Sequence, residues 1–280
     1  MPSTSDMKNA LEKWCSITGE HLLPFALSTL TGDRTSNLHI LVMPIRLAIW
    51  ADLLPASHLA TPSLTLDPLF GTLMHPHAAQ HPTAIPDLLL RHLRTTFFAA
   101  EHTILVAHAV DTPRTLTGVA IWIRKGKGGE ALRSSQPLLH RLGAWCVRIL
   151  NAVHELVFPD RAADPTQLGV LGRALEFVAH YWAGERAETW FLDLCVTGQE
   201  VRGRGFRREL VQWGVNRARQ ERVCASLIAA EATEGFYRRC GFGEPVGWVG
   251  EGKGNPMKDV PGGAIMFAGV VNEKSSEGEG

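Results

Sequence analysis

Trp190-Phe191-Leu192-Asp193-Leu194-Cys195-Val196, followed by Thr197-Gly198-Gln199-Glu200-Val201-Arg202-Gly203-Arg204-Gly205-Phe206, is the stretch on which the fold turns. The first seven residues set aromatic and aliphatic side chains around a single acid, the composition of a strand. The next ten form a glycine-rich turn that runs directly into the helical stretch Arg207 to Gln220. Glycine lets successive backbone N–H groups turn toward one concavity, and the first N–H groups of a helix point into the same space without partners. Such a cradle suits a pyrophosphate. Arg202, Arg204, Arg207 and Arg208 sit at the helix start, where the dipole favours acids, and basic residues in that place indicate a bound anion. A lone Gly-x-Gly would mean no more than a tight turn.

Two elements downstream give the turn its context. Ala225-Ser226-Leu227-Ile228-Ala229 reads as the next strand, and Phe236-Tyr237-Arg238-Arg239-Cys240-Gly241-Phe242 as a short helix closed by glycine. Together they resemble the acetyl-CoA-binding core of the GNAT N-acetyltransferase superfamily. Arg202-Gly203-Arg204-Gly205-Phe206-Arg207 is similar to that family's Arg/Gln-x-x-Gly-x-Gly/Ala turn, with Arg207 standing where the family usually has a small residue. Phe236 to Phe242 is similar to its Leu-Tyr-x-x-x-Gly-Phe element. Upstream, Met43 to Ala48 with Asp52-Leu53 resembles the first strand and the start of the first helix, and Thr103 to Val110 with Leu116 to Ile123 the central hairpin. The resemblance covers residues 43 to 268. It implies a mixed α/β domain around a mostly antiparallel, twisted central sheet flanked by helices.

The same resemblance implies acetyl-CoA as co-substrate, no metal, and transfer of acetyl to the amine of a small molecule or peptide by direct attack in a ternary complex. The pantetheine arm and thioester would lie along Leu194, Cys195, Val196 and Thr197, and the pyrophosphate against Arg202, Gly203, Arg204, Gly205, Phe206 and Arg207. Tyr237 would protonate the departing thiolate; as simple packing, it would instead carry its hydroxyl at the surface. For a base, strand alternation places Phe191, Asp193, Cys195 and Thr197 on one face and Trp190, Leu192, Leu194 and Val196 on the other. Asp193 then interrupts an apolar strand, where it either takes a partner or has its pKa raised by desolvation, and a raised pKa suits a base. Glu188, just before the strand, is the second candidate. Cys195 has no histidine nearby in sequence, which argues against an acyl-enzyme. Arg207 supports a rival reading, a non-catalytic GNAT-fold module that binds CoA or another protein. A P-loop is a weaker third reading, because the turn lacks its Gly-Lys-Ser/Thr ending.

Composition bounds the rest. The chain has 280 residues, 28 Lys plus Arg and 28 Asp plus Glu. The zero net charge offers no overall field for nucleic acid or a membrane surface. Five scattered cysteines without Cys-x-x-Cys spacing fit a reducing compartment, and no apolar run reaches membrane-spanning length. The expected location is the cytoplasm, with the nucleus left open, and a homodimer is compatible with the sequence.

Along the chain, residues 1–37 read as an extension with a helix from Asp6 to Cys15, 38–271 as the GNAT-like domain and 272–280 as a polar tail. Leu38 to Leu47 reads as a strand, and Ala51 to Leu66 as a helix interrupted by Pro55 and Pro62. Asp67-Pro68 opens a further helical piece. His75-Pro76-His77 and His81, without an acid or cysteine at ligand spacing, read as a solvated loop rather than a metal site. Pro86 to Phe98 is helical with Leu89, Leu93 and Phe97 on one face. Arg124 to Gly129 reads as a flexible basic loop, Leu138 to Phe158 and Gln167 to Trp182 as helices, and Gly263 to Ala268 as the last strand.

Overall fold

Alternating apolar runs seek partners for both their side chains and their backbone, and among the described residues they pair into one seven-stranded sheet. In the computed structural model the described residues are 45–109 and 115–269. They belong to one unit. The expected helix at 6–15, the hairpin turn at 111–114, the polar tail and both domain boundaries lie outside them.

The strands are β1 (Ile45–Leu47), β2 (His102–His108), β3 (Leu116–Lys125), β4 (Thr189–Thr197), β5 (Cys224–Ala229), β6 (Gly247–Trp248) and β7 (Ala264–Ala268). Their order is β1-β2-β3-β4-β5-β7-β6, and the β4–β5 pair is parallel while the rest are antiparallel. This is the mixed, mostly antiparallel sheet anticipated from the sequence. The two-residue β6 carries too little pattern to read beforehand.

Helices cover both faces. On one, α1 (Leu53–Thr65) and α2 (Ala84–Phe97) bury Leu53, Leu64, Leu89 and Leu93 against Ile104, Val106, Val119 and Ile121. On the other, α6 (Phe206–Glu221) and the short α7 (Glu234–Arg239) bury Phe206, Leu210, Val215 and Tyr237 against Trp122, Trp190 and Leu227. α3 (Lys127–Ser134), α4 (Leu138–Val157) and α5 (Val170–Val178) complete the chain between β3 and β4.

Three local readings are corrected. α1 is continuous: Pro55 falls in the first turn, where no N–H bond is due, and Pro62 is carried inside the helix near its end. The expected basic loop at 124–129 is instead the end of β3 at Arg124 and Lys125, then Gly126, then the first turn of α3, where the Glu188 carboxylate accepts from Lys127 N at 2.5 Å and Gly128 N at 3.2 Å and so caps the helix. His75 is fully buried rather than solvated; its ring bonds the Phe70 carbonyl at 2.8 Å and Asp160 at 3.1 Å.

α6 sits close to the sheet because Gly214 faces the ring of Trp122, whose Nε1 donates to the Leu210 carbonyl at 3.1 Å. A Cβ at position 214 would meet that ring at 2.2 Å. Gly214→Ala is therefore expected to lower stability by about 1–3 kcal/mol despite its better helix propensity. Urea unfolding checks this; an unchanged or raised midpoint would show that the helix can shift away freely.

Candidate active site

The site begins where β4 leaves β5. The two strands pair only from Thr189 to Leu192 against Cys224 to Leu227. Past Leu192 the β5-facing edge of β4 has no strand partner among the described residues, while β5 continues its pairing with β7. A gap opens along Asp193 to Thr197.

A bulge lies at the same point. Trp122 pairs with Leu192 and Ile121 with Leu194, leaving Asp193 opposite nothing. One extra residue reverses the parity of the strand. The simple alternation read from sequence is accordingly wrong beyond Leu192: Cys195 packs with Trp190 and Leu192 on the α6 face, while Leu194 and Val196 join the α1–α2 face.

Asp193 does not sit buried and alone. Its side chain is 32 % exposed, and His92 Nε2 of α2 lies 3.2 Å from its Oδ2. Burial pushes the carboxyl upward, but the hydrogen bond and charge of His92, with His102 and Lys125 beyond, outweigh it and hold the group below its ordinary range. Of the two alternatives open for this acid, a partner or a pKa raised by desolvation, the structure has the partner. Lys125 places its Nζ 3.6 Å from the centre of the Phe191 ring, and burial lowers its pKa; burial also lowers that of His102. His92 was not legible in advance. A lone histidine on an amphipathic helix 101 positions from its partner leaves no local signal.

Glu188, the second candidate base, is held by contacts outside the gap. Besides capping α3 it pairs with Arg124 at 2.8 Å, and Arg124 in turn reaches Glu221 at the end of α6, also at 2.8 Å. Although burial opposes it, the backbone N–H groups of Gly128 and Lys127, with Arg124, hold the Glu188 carboxyl below its ordinary range. It ties elements together.

On the opposite face of the gap lie Cys195, Arg207 and Tyr237. The phenol is buried rather than at the surface; burial, only partly offset by Arg207, pushes it up to about 12. Arg207 Nη2 donates to that hydroxyl at 3.1 Å, and its guanidinium stacks over Phe236 at 4.5 Å. The Arg207 Nε is buried with no hydrogen-bond partner among the described residues. Burial likewise pushes the Cys195 thiol up to about 11, so it is a poor nucleophile at neutral pH. The turn from Gly198 to Gly205 closes the end of the gap. Gly205, at φ 89°, is the left-handed residue from which α6 starts, and Gly203, at φ 77°, precedes it. Arg202 and Arg204 are exposed beside them.

A solved structure described as histone acetyltransferase HPA2 and related acetyltransferase, from Corynebacterium glutamicum, superposes over 82 % of this chain and 97 % of its own, with 17 % identity and a TM-score of 0.52. The chain has the GNAT fold. A GCN5-related N-acetyltransferase from Kribbella flavida aligns at 14 % identity over 81 % of this chain and 98 % of its own, with a TM-score of 0.43. PaiA N-acetyltransferase from Thermoplasma acidophilum, solved with coenzyme A, aligns at 11 % identity over 81 % and 99 %, also with a TM-score of 0.43. No protein-family model matches the sequence, and no curated protein matches it. Within this GNAT fold the described residues hold no group of three or more His, Cys, Asp or Glu arranged for a metal ion. No described helix is long and apolar enough to cross a membrane.

The lowered Asp193 sets a pH dependence. A carboxyl depressed in the folded state stabilises the fold above its unfolded value, about pH 4, and that contribution is lost as the pH falls through the lowered folded value. Solvent screening of a side chain one-third exposed keeps the contribution to about 1 kcal/mol or less. Wild type is expected to exceed Asp193→Asn in urea unfolding at pH 7 and to converge with it below about pH 3. A gap that persists in acid would assign the effect to packing instead of charge.

Proposed function

We propose that the chain is an acyl-CoA-dependent N-acetyltransferase acting on the amine of a small molecule or peptide. The observation that carries this reading is the gap beyond Leu192, with a neutral phenol on one face and a histidine–carboxylate pair on the other. The residues fit a CoA thioester: a glycine turn and helix start close one end, and a buried guanidinium nitrogen in the gap wants an acceptor.

When bound, the thioester supplies the activated acyl group. His92 presents Nε2–H to Asp193, which leaves the Nδ1 lone pair to take a proton from the attacking ammonium or amine and gives the resulting imidazolium a counter-charge. Backbone N–H groups along Leu194 to Thr197 meet the carbonyl oxygen as the N–C bond forms. Tyr237, protonated throughout the neutral range, donates its proton to the thiolate as the C–S bond breaks. Arg207 stabilises the phenolate left behind. Asp193 thus acts through His92, and Glu188 has no part in the transfer.

Arg207 also favours a second reading. Its side chain fills the space between Cys195 and Tyr237, as in a binding module whose acyl site has closed. One experiment separates the two. Saturating acetyl-CoA, at roughly 100 times its dissociation constant, adds about 2.7 kcal/mol to the folded state and raises the melting midpoint of wild type but not of Gly205→Asp. Turnover with a panel of amines is expected for wild type, with His92→Ala and Tyr237→Phe lowering kcat by about 10²-fold or more. Binding without turnover, with turnover appearing only in Arg207→Ala, supports the module. No midpoint shift at millimolar ligand overturns the acetyltransferase and the CoA-binding module alike, and leaves a scaffold that binds another protein.

A further inference from the structure

Away from the site, α4 carries a surface that the catalytic reading does not use. Its inward face packs on α2: Gly143 meets Phe98, Asn151 bonds the Arg91 carbonyl at 3.0 Å, and His154 lies 3.5 Å from Asp87. Of its twenty residues only Val147 is buried. The outward face holds Leu139, Leu142, Cys146, Ile149, Val153 and Leu156, all exposed, Leu139 and Leu156 by 79 % and 83 %. Their spacing is 3-4-3-4-3 without a break, the a and d positions of a coiled-coil seam. Leu138, Trp145 and Val157 widen the stripe and are themselves more than half exposed.

The seam is palindromic. Turned end for end, Leu139 meets Leu156, Leu142 meets Val153 and Cys146 meets Ile149, so every a residue finds a d residue. Roughly 30 Å of apolar helix with widened flanks offers an area of the order of the ~800 Å² per partner that stable interfaces bury. Exposed apolar stripes of this extent mark interaction surfaces. We propose that α4 pairs with α4 of a second copy of this chain, antiparallel, about a twofold axis between Cys146 and Ile149. The interface is isologous and closes at two copies.

The full chain is expected to run as a dimer by light scattering after gel filtration across micromolar concentrations. Leu142→Glu and Ile149→Glu, on an exposed face that tolerates charge, are expected to be monomeric with unchanged helical circular dichroism. Leu54→Glu, an equally exposed site on α1, is expected to remain dimeric. In a Cys146→Ser background the double variant L142C with V153C is expected to form a disulfide-linked dimer under mild oxidation, and L142C alone is not. Monomer at every concentration overturns the proposal and leaves residues 1–44 or a membrane surface as the cover, which vesicle sedimentation then distinguishes. A dimer that survives both glutamate variants overturns it equally, and crosslinking through L142C alone overturns the antiparallel arrangement.

Discussion

The parting of β4 from β5 beyond Leu192 is the constraint from which the site follows. Parallel pairing lasts four residues on each strand, which holds the sheet together at its centre. After that the backbone groups of β4 on one edge are left for something other than a strand. Buried backbone donors without partners are costly, and under the proposed function an acyl-CoA would complete the hydrogen bonding along this edge. The bulge at Asp193 falls at the fork, releasing the strand from its regular pleat and aiming the acid toward α2.

Two different electrostatic environments result on the two sides of one strand. On the α6 face, burial dominates: Cys195 and Tyr237 are kept protonated, and the single guanidinium of Arg207 only partly counters the loss of water. On the α2 face, a partly exposed carboxylate keeps its charge because imidazole and ammonium groups surround it. A proton donor and a proton acceptor separated by one strand thickness match what acyl transfer to an amine requires, since one proton is lost by the attacking group and one gained by the leaving group.

Charged ties elsewhere keep this arrangement rigid. Arg124, buried at the end of β3, holds Glu188 ahead of β4 and Glu221 at the end of α6. The contact joins the strand that forks to the helix that closes the fork. Trp122, earlier on β3, holds α6 to the sheet nearer the helix start through Gly214 and Leu210.

Much of the fold was legible because it is local. The glycine turn, the strand before it and the amphipathic helix after it are written in consecutive residues, and each obeys backbone sterics and periodicity that no distant contact needs to supply. Tyr237 and Arg207 were visible for the same reason, through their places in short motifs. Other features depended on partners far along the chain. The chain turns helical at Lys127 because Glu188, some sixty residues away, caps it there, and His75 is buried because Asp160 meets it. Sequence alone determined the central strands and a glycine-cradled helix start, since those rest on local conformational preference, and it implied the mixed sheet only through the family resemblance. Only tertiary structure decided the parity of β4, the pairing of His92 with Asp193 and the inward turn of Arg207, because a bulge, a long-range hydrogen bond and a buried cation each depend on what the other side of the sheet presents.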